Sequence, residues 1–253
     1  MDSFIAWIGG KRLLRKEICS RFPESGYNKY VEVFGGAGWV LFHKDRHTEV
    51  EIYNDINGNL VNLFKCVKYH PAAIEEELAL VLNAREFYDN FKEIHRSTAL
   101  TDIQRAAMYF YMIRASYGSK VTTFGPKARD VTNAEYLKAI KTRLKSVILE
   151  NRDYETLIIQ HDKPDTLFYC DPPYLGSERY YDTGDAAFDK PHHMNLAYIL
   201  HNIQGRCIVS YNDNDFIREL YKGMNIAEIT RKNNLGMRYG TKKEYKELII
   251  TNY

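Results

Sequence analysis

Lys29-Tyr30-Val31-Glu32-Val33-Phe34-Gly35-Gly36-Ala37-Gly38 reads as a strand rich in Tyr and Val that runs straight into a glycine turn. Glycines at 35, 36 and 38 permit a tight turn and a close approach of backbone to a ligand. A second strand is predicted at 50–53 and ends in Asn54-Asp55, which places Asp55 about twenty residues beyond the turn. An acid there can accept hydrogen bonds from ribose hydroxyls, as in adenosine-containing cofactors. A plain glycine turn with a capping Asp would leave the same trace. The spacing is not the Gly-x-Gly-x-x-Gly of dinucleotide binders, and no Gly-Lys-Ser/Thr ends the turn as in a phosphate-binding loop.

Outward from this stretch, short β-type runs recur at 146–149, 166–170, 207–211, 224–229 and 248–251. Helical periodicity follows Gly9-Gly10 over 11–18, and residues 57–144 are helical in character, with Leu78, Val81 and Leu82 at three- and four-residue spacing. Strands separated by helical segments predict an open α/β sheet with a mainly helical block inserted near its middle. The predicted division is 1–56 with 145–253 for the sheet and 57–144 for the insert.

Composition bounds the partners. Thirty-five Lys+Arg against 33 Asp+Glu leave a net charge of +2, which argues against a histone-like binder held by a global positive field. An apolar fraction of 45% is enough to build a substantial core. No run of about 18 apolar residues is present, and Met1-Asp2-Ser3-Phe4-Ile5 has neither a basic n-region nor a signal-peptide core, so a soluble, cytoplasmic protein is expected. Cys19, Cys66, Cys170 and Cys207 form no Cys-x-x-Cys pair, so neither a zinc knuckle nor a disulfide framework is indicated, and they are expected to pack as small apolar residues.

The strongest local signal is Thr166-Leu167-Phe168-Tyr169-Cys170 running into Asp171-Pro172-Pro173-Tyr174. By average residue usage this tetrapeptide arises by chance in roughly one chain per thousand of this length. Its residues suit amine methylation. The lone pair of a nucleobase amino group is delocalised into the ring, and acceptors that take its N–H protons favour a nucleophilic nitrogen. Asp171 offers a carboxylate, and the Pro172 carbonyl offers a second acceptor on stiff backbone. The Tyr174 ring offers a face for an unstacked base and for a sulfonium cation. If the strands take the doubly wound order, the ends carrying Gly36 and Asp171 lie side by side.

At these residues the sequence resembles the Dam-type DNA adenine N6-methyltransferases, class I enzymes with the alpha order of motifs. Trp7-Ile8-Gly9-Gly10-Lys11 is similar to the family's amino-terminal motif, Phe34-x-Gly36-x-Gly38 to its methyl-donor loop, and Asp171-Pro172-Pro173-Tyr174 to its catalytic signature. The resemblance implies a Rossmann-like methyltransferase fold that takes S-adenosylmethionine and releases S-adenosylhomocysteine. Trp7, Lys11, Phe34, Gly36, Gly38, Asp55, Asp153 and Asp171 would then meet the cofactor, with Asp171 to Tyr174 catalytic and no metal required. Double-stranded DNA is the implied partner, GATC the inherited recognition sequence, and a monomer the expected state, with two copies conceivable on a palindrome. Arg114 and Lys120 stand where a recognition region would read guanine edges or touch phosphates, and Arg114 could equally be a structural ion-pair partner. Phe188 with His193, Ser210-Tyr211-Asn212-Asp213 and Glu247 to Asn252 are similar to later family segments. The rival readings are a cytosine N4-methyltransferase and a catalytically silent DNA-binding protein on the same fold.

With DNA as the implied partner, the uneven charge gains meaning. Residues 114–145 hold eight basic side chains against two acids and residues 1–21 hold five against two, whereas residues 150–189 hold ten acids against three bases. A one-sided basic face is expected, with affinity that falls as salt rises.

Overall fold

The computed structural model describes all residues except 96, 98, 126–131, 177–187 and 233–243. Seven strands form one sheet: β1 Lys29–Glu32, β2 Val50–Asn54, β3 Ile148–Glu150, β4 Thr166–Cys170, β5 Arg206–Asn212, β6 Asn225–Lys232 and β7 Glu244–Thr251. Their order is β3-β2-β1-β4-β5-β7-β6. The first five run parallel, and β7 enters antiparallel between β5 and β6. β1 pairs directly with β4, with Glu32 opposite Tyr169, so the glycine turn and the Asp-Pro-Pro-Tyr loop leave the sheet side by side at the switch point. Every residue of β4 is buried, as a central parallel strand covered on both faces requires.

Between β2 and β3 the described residues form α2 Gly58–Tyr69, α3 Pro71–Ala79, α4 Arg85–Ile94, α5 Asp102–Ala115 and α6 Leu137–Leu144, while the short α1 Arg15–Ser20 precedes β1. Asn57 caps α2 by accepting from the Leu60 N–H, and Thr101 with Gln104 forms a full capping box on α5. These helices share one continuous apolar cluster with a face of the sheet, from Phe4 and Tyr53 through Leu63 and Phe110 to Ile249. The other face carries α7 Tyr154–His161 and α8 Lys190–Asn202, with α9 Asp215–Leu220 beyond them, around a second cluster centred on Phe168, Leu200 and Val209. No helix among the described residues is long and apolar enough to cross a membrane.

A buried ion pair fastens the helical block to the sheet. The guanidinium of Arg143, on α6, makes paired hydrogen bonds of 2.7 and 2.8 Å to the Glu51 carboxylate on β2 and also donates to the Leu41 and Lys44 carbonyls. Arg143 therefore leaves the basic face to which its position in the sequence assigned it. Lys127, Arg129 and Asp130 of that stretch, and Glu178, Arg179, Asp182 and Asp185 of the acidic one, lie outside the described residues.

Candidate active site

At the end of β1 the chain turns through Gly36 (φ 51°) and Gly38 (φ 67°), a left-handed backbone that favours glycine. The close approaches here involve the protein's own aromatic rings. A Cβ on Gly35 would stand 2.2 Å from the Tyr53 ring, one on Gly36 2.9 Å from the Trp7 indole, and one on Gly38 3.2 Å from Phe42. Asp55 braces the same turn, its Oδ2 accepting from the Gly36 N–H at 2.8 Å and its Oδ1 from the Asn57 N–H at 2.8 Å. Asn54 stitches the turn to the β3 side, donating to the Val33 and Arg152 carbonyls and accepting from the Arg152 N–H.

Between this turn and the β4 loop lies a crevice lined by Trp7, Lys11, Phe34, Gly36, Asp55, Asp171 and Pro173 among others. Phe34, Ile56 and Pro173 also line a second hollow, where Asp153, Tyr154 and Phe188 stand. Seven of the residues singled out in the sequence thus meet at one crevice, and Asp153 sits in its continuation. Gly38 lines neither and is buried beside Phe42 and Phe64. Asp153 is exposed and caps α7, accepting from the Glu155 N–H at 2.9 Å. Tyr109 of α5 reaches the rim, its hydroxyl accepting from Asn57 Nδ2 at 3.0 Å.

Asp171 follows β4 and is bound on both oxygens. Lys11 Nζ lies 2.6 Å from Oδ1 and 2.8 Å from Oδ2, and the Ser210 hydroxyl donates to Oδ1 at 2.9 Å. Lys11 is itself buried, with only 4% of its side chain exposed; it also donates to the Gly9 carbonyl and lies 4.6 Å from the centre of the Tyr174 ring. Burial raises the Asp171 pKa, while the Lys11 charge and hydrogen bond oppose that rise. Pro172 and Pro173 are buried, which fixes the loop. The Tyr174 hydroxyl donates to Glu247 on β7 at 3.0 Å.

Sequence reasoning passed over Glu32 and left Ser210 and Glu247 without a role. Glu32 is buried in the crevice wall and accepts from the Tyr30 hydroxyl at 2.7 Å. Its alternation with apolar neighbours in a strand resembles a solvent-facing residue, and only the switch-point geometry places it inside. Burial pushes its carboxyl up from an ordinary 4.5 to about 8, against hydrogen bonds from Tyr30 and the Leu41 backbone that lower it. A folded-state pKa above the unfolded one means that Glu32 favours folding below pH 4.5 and that this contribution is lost as pH rises through about 8. Glu32→Gln is expected to remove that loss. Thermal melts between pH 4.5 and 8 should show the variant gaining on the parent as pH rises, and parallel curves would refute the buried acid.

The two candidate DNA-reading residues lie apart from the crevice lining. Arg114 stacks near the Phe110 and Tyr136 rings and donates to the Tyr136 hydroxyl and the Asn133 carbonyl. Lys120 stands half-buried between Ser119 (φ 60°) and Val121 (φ 58°), both non-glycine residues in left-handed backbone. His193 is buried on α8 with Nδ1 2.8 Å from the Tyr211 hydroxyl. All four cysteines are free and buried.

A sheet of this order, with the glycine turn after β1 and Asp-Pro-Pro-Tyr after β4 opening on one crevice, is an open α/β sheet with its candidate site at the switch point. Residues 7–235 match the D12 class N6 adenine-specific DNA methyltransferases, and the chain belongs to that family. It is 24% identical to the type II methyltransferase M1.LlaDCHI of Lactococcus lactis subsp. cremoris, over 99% of this chain and 95% of that protein. It is 27% identical to the DNA adenine methylase of Haemophilus influenzae, over 97% and 92%, and 25% identical to the type II methyltransferase M.CviBI of Paramecium bursaria Chlorella virus NC1A, over the full length of both. Membership in an adenine-specific family sets aside cytosine N4 as the target.

Proposed function

We propose that the protein methylates the exocyclic N6 amino group of one adenine in a short, specific duplex DNA sequence, after that adenine has rotated out of the helix into the crevice. The observation that carries this reading is the placement of Asp171, an acceptor already holding an N–H donor, in the same crevice as Gly36, Asp55 and Trp7. The residues fit S-adenosylmethionine. Asp55, on the crevice wall, has carboxylate lone pairs beyond the two that brace the turn, enough to accept from ribose hydroxyls. The hollow lined by Phe34, Ile56 and Pro173 suits a flat adenine ring, with Asp153 at its rim. Trp7 and Phe34 close the crevice with aromatic surface, and Gly38 shapes the turn from beneath.

When bound, S-adenosylmethionine supplies an electrophilic methyl on a sulfonium. The chain's own contribution is positioning and electrostatics. Asp171 accepts an N–H of the target amino group in the place where it now accepts from Lys11, and the Pro172 carbonyl accepts the other, which localises the nitrogen lone pair. Tyr174 supplies the stacking face. Lys11, next to the carboxylate, opposes the rise in the Asp171 pKa that burial causes and so favours its accepting form.

Lys120, with the exposed Arg12 and Lys16 of the amino-terminal stretch, is assigned to the phosphate backbone of a duplex bound by a single copy of the chain in the cytoplasm. GATC is the proposed site, by inheritance. Expression in a methylation-free host followed by single-molecule sequencing tests the reading: N6-methyladenine at one short motif is expected. Unmodified DNA in the presence of soluble protein would refute catalysis, and a mark at another motif would refute GATC alone.

A further inference from the structure

We infer that Glu247 is a positioning residue for the target base, its carboxylate fixing the plane of the Tyr174 ring on which the adenine stacks. This rests on the stacking role given to Tyr174 under the proposed function. Glu247 lies on β7, opposite Asn212 at the end of β5, and so at the edge of the sheet from which the β4 loop also emerges. Only 3% of it is exposed, and a carboxylate withdrawn from water is costly unless its hydrogen bonds repay the loss. One of them is the Tyr174 hydroxyl at 3.0 Å.

The hydroxyl is the far tip of a rigid side chain, so holding it fixes the direction of the ring, and because a phenolic O–H prefers to lie in the ring plane, an acceptor held to one side also favours one plane. Lys11 Nζ also lies over the ring, 4.6 Å from its centre, and the Tyr211 ring centre is 6.1 Å away. A phenol that donates to a carboxylate also gains electron density, which strengthens its attraction for a cation over the face. The antiparallel β7 thereby brings a residue from near the carboxyl terminus to a site assembled from the amino-terminal turn and the β4 loop.

A second route from Glu247 to catalysis exists, because its negative charge raises the Asp171 pKa. The two routes separate by substitution. Glu247→Gln removes the charge and keeps an acceptor for the hydroxyl, whereas Glu247→Ala removes both. Single-turnover methylation of duplex DNA at saturating S-adenosylmethionine is the measurement. Losing a hydrogen bond to a charged group corresponds to about tenfold or more in rate, so Glu247→Ala and Tyr174→Phe should each slow methylation about tenfold. Glu247→Gln should stay within about threefold of the parent. Glu247→Ala in the Tyr174→Phe background should be no slower than Tyr174→Phe alone, with cofactor affinity unchanged in every variant.

Equal slowing by Glu247→Ala in both backgrounds, no slowing in the parent, or a Glu247→Gln as slow as Glu247→Ala would each overturn the inference. If Glu247→Ala does not fold, the cycle is run with Glu247→Leu, which fills the space without an acceptor and whose slowing must vanish once the Tyr174 hydroxyl is gone. A parent enzyme that leaves adenine unmodified defeats the proposed function. An active parent with an additive cycle defeats only the role of Glu247.

Discussion

Asp171→Ala is expected to lower the single-turnover rate of methylation by about 10³-fold or more, because on the proposed mechanism it removes the acceptor that holds and polarises the target amine. The same substitution does damage elsewhere. Lys11 is 4% exposed, and its ammonium loses its carboxylate partner while remaining in the protein interior. A buried charge deprived of its partner destabilises by about 3–5 kcal/mol, so a dead Asp171→Ala enzyme alone would not separate chemistry from folding. The double variant Lys11→Met with Asp171→Ala separates them. It should regain most of the stability lost in the single variant, and methylation should stay absent. Asp171→Asn adds a third reading: the shape and one acceptor are kept, but an NH2 group is brought near Lys11 Nζ, so activity should remain far below the parent. A folded double variant that methylates at the parental rate would remove Asp171 from the mechanism.

The pairing of Lys11 with Asp171 also marks where sequence reading reached its limit. Each residue was legible in its own motif, the glycine-flanked Lys11 near the amino terminus and Asp171 at the end of a hydrophobic strand. That they share a hydrogen bond across 160 residues of chain follows only from the strand order. The strands themselves were legible because buried parallel strands leave unbroken apolar runs; β4 begins and ends where it was expected. The helix expected over 11–18 begins at Arg15, because Lys11 to Leu14 form the turn that carries the Lys11 side chain into the site.

The glycine turn was read as a place where backbone closely approaches a ligand, and sequence alone could not supply the protein's own rings as its neighbours. Much of the space those glycines leave is filled by Tyr53, Trp7 and Phe42. Ionisable residues inside strands were the least legible. Glu32 and Glu51 alternate with apolar neighbours as solvent-facing residues do, Glu247 follows Lys246, and all three are buried; Glu51 and Glu247 take partners brought from elsewhere in the chain, Arg143 and Tyr174. Local charge counts fail for the same reason. Arg143 adds to a basic stretch in the sequence and is neutral with Glu51 in the fold.

Arg143→Ala is accordingly expected to destabilise the protein more than removal of any exposed basic residue in 114–145. Arg143 and Glu51 are 4% and 1% exposed, and the substitution strands the Glu51 carboxylate and leaves the Leu41 and Lys44 carbonyls without their guanidinium donor. Breaking a buried pair from one side costs about 3–5 kcal/mol. For a chain of this size that corresponds to a fall in Tm of about 10 °C. Replacing both partners with Leu removes the charge and leaves apolar volume, and should recover much of the loss, since a buried pair is often no more stable than apolar packing of similar size. The consequence reaches the site because Leu41 and Lys44 follow directly on the glycine turn. Loosening them frees the segment that carries Gly36 and Gly38, so Arg143→Ala should also bind S-adenosylmethionine more weakly, although Arg143 does not line the crevice. Thermal melts and cofactor titrations of the parent, both single variants and the double variant decide the matter. Stability losses that simply add, with the double variant as weak as the two single losses combined, would mean that the pair does not act as the fastening between α6 and β2.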